Sequence, residues 1–254
     1  GQSTSVALQK VIYLYVGFAF LLAPIILLTL DNVESNDTSN AAVKKRDNLW
    51  ADLKLLFAKE ELWLSAFCIL CGYQLFWATY SFSGYLQQIY GLTAVMAGSV
   101  TVAKLWTRPI GAAAAGFVGD RFNREKVLGG LMLTGTLALA ALIVLPLKVS
   151  VVILLAIVMI IGLMTYAVRG IFWATLDSCN IPIRIKGLAI GVISLIGYSP
   201  DIYLPLINGA LLERYPGKTG YSLYFAGIVF MGFLGTLAAW RLHWLVKQEA
   251  DHSS

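Results

Sequence analysis

Seven long apolar runs dominate the sequence, and they constrain its fold more than any other feature. A helix needs roughly 20 mostly apolar residues to cross the hydrocarbon of a bilayer. The runs are Val11–Leu30, Leu62–Tyr85, Thr93–Ala115, Val127–Leu147, Val151–Leu176, Leu188–Leu212 and Tyr221–Val246. Only 13% of the 254 residues are charged, which is about half the share of a soluble domain. The sequence therefore predicts an all-α polytopic membrane protein, because a helix is the common way to cross a bilayer.

Lysine and arginine are unevenly distributed among the loops between these runs. If the loop after the first span is cytoplasmic, 12 of the 19 basic residues lie on that side and 4 on the other. Cytoplasmic loops carry such an excess. We therefore expect the N-terminus outside and the C-terminus inside a plasma or inner membrane. The net charge of +5 then indicates contact with membrane lipid and no nucleic-acid partner.

The connection after the first span is much longer than the others. Asp31–Asn48 is polar and rich in Ser, Asn and Asp, as in a flexible linker. Leu49–Phe57 has apolar residues at helical spacing, which predicts a short interfacial helix or an extension of the next span. We divide the chain into a first transmembrane helix (1–30), a cytoplasmic linker with its short helix (31–61), a six-helix unit (62–247) and a cytoplasmic tail (248–254).

A glycine-rich, charged motif separates the third span from the fourth. Its polar and small residues are Gly116, Gly119, Asp120, Arg121, Asn123, Arg124, Glu125 and Lys126. Glycines let two backbones approach, an aspartate suits a helix N-terminus, and the basic residues suit lipid headgroups. The spacing resembles the signature loop of the major facilitator superfamily, Gly-x-x-x-Asp-Arg-x-Gly-Arg-Arg/Lys. Asn123 replaces a glycine of that motif, and Glu125 replaces a basic residue.

A second block, from Arg184 to Gly191, is similar to the start of the eleventh helix in many such carriers. The resemblance implies that the first span is helix six and that the other spans are helices seven to twelve. The chain is then the C-terminal half of a twelve-helix carrier plus one helix, and its partner is a missing N-terminal half. The resemblance also implies that Asp120 and Arg121 latch the cytoplasmic side against that half.

A heptahelical receptor is the alternative, since it also has seven spans and an Asp-Arg motif after the third, here Asp120-Arg121-Phe122. The long loop after the first span argues against it. The last span has no central lysine for a retinal, because Lys247 lies at its end. A non-transporting membrane sensor is a further alternative.

Three basic residues fall inside the spans, where an ionised side chain costs about 2.5–3.5 kcal/mol on insertion scales and marks a functional site by default. Lys104 and Arg108 are four residues apart in the third span and share a helix face. We expect an anionic substrate or an acidic side chain between them, although Arg108 could instead extend to the headgroups. Arg169 in the fifth span is a substrate candidate or a partner of Asp177.

The sixth span combines an acid with two prolines, Pro200, Asp201 and Pro205. Each proline leaves one helix carbonyl without its donor, and interrupted helices are where transporters hold substrates and coupling ions. We expect Asp201 to couple transport to protons or cations, or to form a buried salt bridge with an embedded cation. A polar and aromatic stripe in the second span could line a cavity or serve in packing, and it comprises Gln74, Trp77 and Tyr80.

The sequence carries no sign of catalysis. Cys68 and Cys71 have the spacing of a metal or redox pair, but they lie in an apolar helix without histidine or acidic neighbours. We therefore expect no enzyme activity, no metal and no cofactor. The sequence predicts a secondary active transporter that works by alternating access on a small organic solute. The embedded cations favour an anion driven by protons, while peptide, sugar and drug substrates stay open.

Overall fold

The structure, a computed structural model, describes residues 9, 13–18, 20–24, 49–179 and 181–253. The chain divides into two compact units, residues 1–49 and residues 50–254. In the first unit the described residues are helical, so the first predicted span lies only partly within them. The predicted linker, residues 31–48, lies outside the described residues. All regular structure in the described part of the second unit is helical.

From Leu49 onward the chain forms nine described α-helices and two short 3-10 segments. The α-helices are α1 (Leu49–Phe57), α2 (Glu60–Ala78), α3 (Phe82–Tyr90), α4 (Ala94–Arg121), α5 (Arg124–Val144), α6 (Val151–Ile171), α7 (Ile183–Gly197), α8 (Pro200–Arg214) and α9 (Lys218–Ser253). The 3-10 segments, Thr79–Ser81 and Ala174–Cys179, follow α2 and α6.

Five helical stretches in the described residues are long and apolar enough to cross a membrane. They are Glu60–Tyr90, Arg124–Val144, Val151–Cys179, Ile185–Arg214 and Lys218–Gln248. These stretches confirm the second, fourth, fifth, sixth and seventh predicted spans.

The third predicted span is present as the helix α4, but it is not among these five stretches. Its 28 residues would extend about 42 Å at 1.5 Å per residue, which is more than the hydrocarbon requires. Lys104, Arg108 and several small or polar residues lower its mean hydropathy. A helix that carries such charges needs protein or water along part of its surface.

Close packing between α4 and α6 supplies that protein surface. The two helices share the most extensive contact in the fold, followed by α9 with α5 and with α2. A Cβ atom added at Gly111 would lie 2.8 Å from the carbonyl oxygen of Leu163, and one at Gly170 would lie 2.8 Å from Ala112 Cα. Small residues therefore bring the two backbones together, as they do in many membrane-helix pairs.

Burial within the second unit is uneven. The stretch Glu60–Tyr90 is 67% buried, whereas Ile185–Arg214 is only 22% buried. Helices α7 and α8 therefore lie at the surface of the unit. We call the side formed by these helices and the neighbouring parts of α2, α4 and α6 the open face. The predicted site residues that line a cavity or are exposed there are Trp77, Tyr80, Arg108, Arg169 and Asp201.

Candidate functional site

The span that begins with α2 is broken in its middle. Helix α2 ends at Ala78, the 3-10 segment Thr79–Ser81 follows, and α3 begins at Phe82. The Thr79 hydroxyl donates to the carbonyl oxygen of Phe76 at 2.7 Å. No proline or glycine lies within the segment, so the sequence offers no signal of this break. It turns Tyr80 and Ser81 toward a cavity on the open face.

Asp201 lies where the sixth span is divided. Helix α7 ends at Gly197, and α8 begins at Pro200, a position where the missing N–H of proline has no cost. Asp201 therefore occupies the first turn of α8, where the helix dipole favours a carboxylate. Pro205 lies inside α8 without ending it.

Asp201 is held by an aromatic donor. The indole Nε1 of Trp77 donates to Asp201 Oδ1 at 2.6 Å. Asp201 is exposed on the open face. Among the described residues it forms no ion pair with any of the embedded cations. Within the described part of the chain, the hydrogen bond from Trp77 therefore joins this carboxylate of α8 to α2.

The polar and aromatic stripe of α2 makes the rest of this junction. Gln74, which is buried, donates from Nε2 to the Tyr203 hydroxyl at 2.9 Å. Tyr80 is exposed, and its ring centroid lies 5.0 Å from that of Trp77. Gln74 and Trp77 thus join α2 to α8, while Tyr80 forms part of a cavity wall.

A cavity of about 190 Å³ lies beside this junction and contains two of the three embedded cations. Its lining comprises Arg108, Ala112, Tyr166, Arg169, Gly170, Phe172, Trp173 and Tyr198. The Arg169 guanidinium lies 4.3 Å from the ring centroid of Phe76 and 5.4 Å from that of Tyr73, in range for cation–π contact. In the part of the chain that the structure describes, neither arginine has a carboxylate within 4.0 Å. We call this space the arginine cavity.

Lys104 does not line the arginine cavity, although it precedes Arg108 by four residues. Its side chain is 4% exposed and points at the break, where Nζ donates to the carbonyl oxygen of Thr79 at 3.3 Å. Nζ also lies 6.0 Å from the ring centroid of Phe82. The structure therefore separates the two cations: Arg108 faces the cavity, and Lys104 contacts the broken span.

The charged motif at the junction of α4 and α5 forms an ionic network at one end of the unit. Arg124 Nη2 lies 3.2 Å from Asp120 Oδ1, and Arg124 Nη1 lies 3.8 Å from Asp177 Oδ2. Lys186 Nζ lies 2.6 Å from the other oxygen of Asp177. Asp177 thus pairs with Arg124 and Lys186, not with Arg169. The network joins α4, α5, the second 3-10 segment and α7.

The connection within this motif is short, since only Phe122 and Asn123 separate the two helices. Helix α4 continues through Gly116 and Gly119 to Arg121, and α5 begins at Arg124. Between the end of the apolar run at Ala115 and Phe122 there is no proline to interrupt the backbone hydrogen bonds, so the helix extends past that run. A Cβ atom added at Gly119 would collide with the Ile171 side chain, whereas Gly116 has no neighbour within 4 Å. Arg121 and Lys126 are exposed.

Glu125 and the cysteines lie in the interior. Glu125 is 3% exposed, and its Oε2 lies 3.9 Å from His243 Nδ1. Cys68, Cys71 and Cys179 are buried free thiols. In the described ranges no three His, Cys, Asp or Glu side chains come together as metal ligands would.

The sequence matches known membrane proteins over most of its length. The profile of the Major Facilitator Superfamily matches residues 4–205. The chain is 25% identical over 234 residues to the inner membrane protein YihN of Escherichia coli, covering 90% of this chain and 55% of that protein. It is also 25% identical over 239 residues to the inner membrane protein YqcE of E. coli, covering 91% and 55%.

A shorter match, 39% identical over 59 residues, joins 21% of the chain to 26% of an uncharacterized protein of Mycoplasma pneumoniae. The chain spans about half the length of the two E. coli proteins that it matches. Their names describe proteins of the inner membrane, which agrees with the apolar helices found here. With a family match over most of its residues and a fold of membrane-spanning helices, the chain belongs to the major facilitator superfamily of membrane transporters.

Proposed function

We propose that this chain belongs to a secondary active transporter that moves a small organic anion by alternating access. The observation that carries the proposal is the arginine cavity, where Arg108 and Arg169 lie together without a carboxylate partner among the described residues. Cations inside a membrane protein are costly unless they are compensated. An anionic substrate would supply that compensation while it is bound.

The size of the cavity supports a small substrate. Its volume is about 190 Å³, whereas pockets for drug-sized ligands measure roughly 300–1,000 Å³. The aromatic walls at Trp173 and Tyr198, joined by an indole-to-hydroxyl hydrogen bond of 3.2 Å, leave the two guanidinium groups as the charged part of the lining. A small carboxylate or similar oxyanion fits this chemistry better than a peptide or a drug.

Asp201 is the residue that we propose for proton coupling. Its carboxylate accepts the 2.6 Å hydrogen bond from Trp77, and a charged acceptor makes such a bond strong. Protonation would remove that charge and loosen the contact between α2 and α8. Binding of a proton would thereby change how firmly α8 is held, which is what coupling to an alternating-access movement requires.

The charged motif is proposed to act where the two halves of the carrier meet. Asp120 and Arg121 are exposed at the end of α4, and the pairing of Arg124 with Asp177 ties this end to the rest of the unit. We place this end in the cytoplasm, with the N-terminus of the chain outside. The greater length of the E. coli relatives supports an N-terminal half as the partner.

Counterflow in liposomes tests the substrate proposal. The full-length carrier would be loaded with unlabelled small carboxylates and assayed for uptake of the same labelled acids. We expect Arg108→Gln and Arg169→Gln each to weaken substrate binding by about 10-fold or more, since each removes a charged donor. Arg214→Gln, at the exposed end of α8, is the matched control. Equal counterflow in all variants would refute the anion site, and binding without counterflow would indicate a sensor.

Asp201→Asn tests the coupling proposal separately. We expect uptake driven by a pH gradient to be lost while counterflow of the substrate persists, because the amide cannot carry a proton. Expression and membrane insertion serve as controls for folding. If uptake by the variant follows the pH gradient as it does in the wild type, Asp201 is not the coupling residue.

A further inference from the structure

Two aromatic rings of α2 lie against Arg169, one of the two arginines of the arginine cavity. Arg169 Cζ lies 4.3 Å from the ring centroid of Phe76 and 5.4 Å from that of Tyr73. Arg169 lines the cavity, whereas neither of the two rings does. The rings therefore contact the guanidinium from outside the cavity. We call Tyr73 and Phe76 the aromatic shelf.

Neighbouring aromatic side chains hold the aromatic shelf in place. Its two rings are stacked, with centroids 5.8 Å apart and planes 25° from parallel. The Tyr198 ring packs nearly perpendicular to the Tyr73 ring at 4.8 Å, and the Tyr166 ring lies 5.9 Å from that of Phe76. Phe76 is also buried. Because side chains that are packed on several sides cannot easily change rotamer, the shelf offers the guanidinium a fixed surface.

The contact with the aromatic shelf leaves the hydrogen-bond donors of Arg169 unused. A guanidinium has five N–H donors, and within residues 49–179 and 181–253 none of those of Arg169 donates to a side chain or a backbone carbonyl. The ring faces attract the cation through their quadrupole. The charge is therefore partly compensated, while the donors stay available for an oxyanion.

Arg108 lines the same cavity without such a shelf. Among the described residues no aromatic ring lies in cation–π range of its guanidinium, and the residue is exposed. The two cations of the cavity thus differ in how firmly they are held. Arg169 is fixed before a ligand arrives, whereas Arg108 has more freedom to move.

We propose that the aromatic shelf positions Arg169 for the acid group of the substrate, so that Tyr73 and Phe76 are positioning residues. A guanidinium that is already fixed loses little freedom when an anion binds, and less of the binding free energy is then lost in ordering it. A carboxylate in place of the shelf would also hold the arginine, but it would compete with the substrate. This inference rests on the proposed function, because it takes Arg169 as part of the anion site.

Fluorination of the Phe76 ring tests the shelf with almost no change in its size. Fluorine withdraws electron density from the ring face, so 4-fluoro-, 3,5-difluoro- and 3,4,5-trifluorophenylalanine weaken the attraction for a cation in steps. Each would be placed at position 76 of the full-length carrier by nonsense suppression. Binding of lactate, succinate and citrate would be measured by calorimetry in lipid nanodiscs. We expect the affinity to fall with each added fluorine, by about 2- to 30-fold over the series, which is the range of one cation–π contact.

Two controls separate positioning from packing. Phe225 is fully buried against the rings of Phe82 and Tyr85, and no described cation lies over its own ring, so the same series there should leave the affinity unchanged. In an Arg169→Gln background, fluorination of Phe76 should have no further effect, because the group that the shelf holds is gone. An equal fall at Phe225, or a continued fall in that background, would show that fluorine acts through packing and would overturn the proposal.

The reactivity of the two arginines distinguishes failure of the shelf from failure of the proposed function. Phenylglyoxal modifies arginine side chains, and peptide mass spectrometry follows its reaction at Arg169 and Arg108 in one sample without any substrate. We expect the reaction at Arg169 to become faster along the fluorine series, while that at Arg108 stays unchanged.

Unchanged reactivity of Arg169 along the series would overturn the role of the aromatic shelf. In that case a loss of carboxylate binding in Arg108→Gln would still support the anion site. If Arg169 becomes more reactive but none of the three acids binds the wild type, the proposed function fails and the positioning role fails with it.

Discussion

The contact between Gly162 of α6 and Lys104 of α4 offers a direct test of how the embedded lysine is held. A Cβ atom added at Gly162 would collide with Lys104 Cγ and lie 3.1 Å from its Cδ. The lysine cannot easily turn away, since it is 4% exposed and its Nζ is bound to Thr79. Gly162→Ala should therefore force the lysine or the helix to move.

The expected change in the free energy of unfolding of Gly162→Ala is the sum of two opposing contributions. Alanine in place of a helical glycine is favourable by about 1 kcal/mol, whereas overpacking a buried site costs about 1–3 kcal/mol. Gly187 in α7 has no neighbour within 4 Å, so Gly187→Ala measures the first term alone. We expect Gly162→Ala to be less stable than Gly187→Ala by about 1–3 kcal/mol, or roughly 2–12 °C in Tm.

A double-mutant cycle assigns the loss to the lysine. Lys104→Ala removes the atoms that would collide, so Gly162→Ala in that background should behave like Gly187→Ala. The coupling between the two sites should then equal the overpacking term, about 1–3 kcal/mol. Thermal unfolding, followed by tryptophan fluorescence, is measured for the wild type, for each single variant and for the double variant. A Gly162→Ala variant as stable as Gly187→Ala, or a cycle without coupling, would refute this account of how Lys104 is packed.

Two further predictions concern the other contacts of the site. Trp77→Phe keeps an aromatic ring but removes the donor to Asp201, and we expect hydrogen exchange in the first turns of α8 to rise by about 10-fold; unchanged exchange would contradict a holding role for the bond. Asp177→Asn removes two exposed ion pairs, with Arg124 and Lys186, each worth less than about 1 kcal/mol. We expect a fall in Tm of a few degrees at most that disappears at high salt, whereas a large, salt-insensitive fall would show that the pairs are buried.

The fold could be predicted largely because each membrane span is a local property. The run Val127–Leu147 predicts a helix that the structure places at Arg124–Val144, and the other apolar stretches agree similarly. The predicted and observed ends of a helix differ where hydropathy alone does not mark the end. Helix α4 continues to Arg121, past the end of its apolar run, because no residue there breaks the helix.

The sequence predicts which residue types belong to the candidate site, but it does not predict which side chains they contact. The sequence picks out Lys104 and Arg108 as embedded cations, but their different surroundings depend on α2 and α6, which are distant in the chain. Likewise, Asp201 is recognisable from its prolines, whereas its hydrogen bond to Trp77 joins residues 124 positions apart.

The sequence by itself determined the membrane character of the chain and its helical spans, because the free energy of transfer into lipid adds up along a local run. It also carries the charged motif, since the motif consists of consecutive residues. Only the tertiary structure decided which charges face a cavity, where the span that begins at Glu60 breaks, and which side chain donates to Asp201. Those features depend on how closely α4 approaches α6 and how α8 lies on α2, and such packing is set by side chains far apart in the chain.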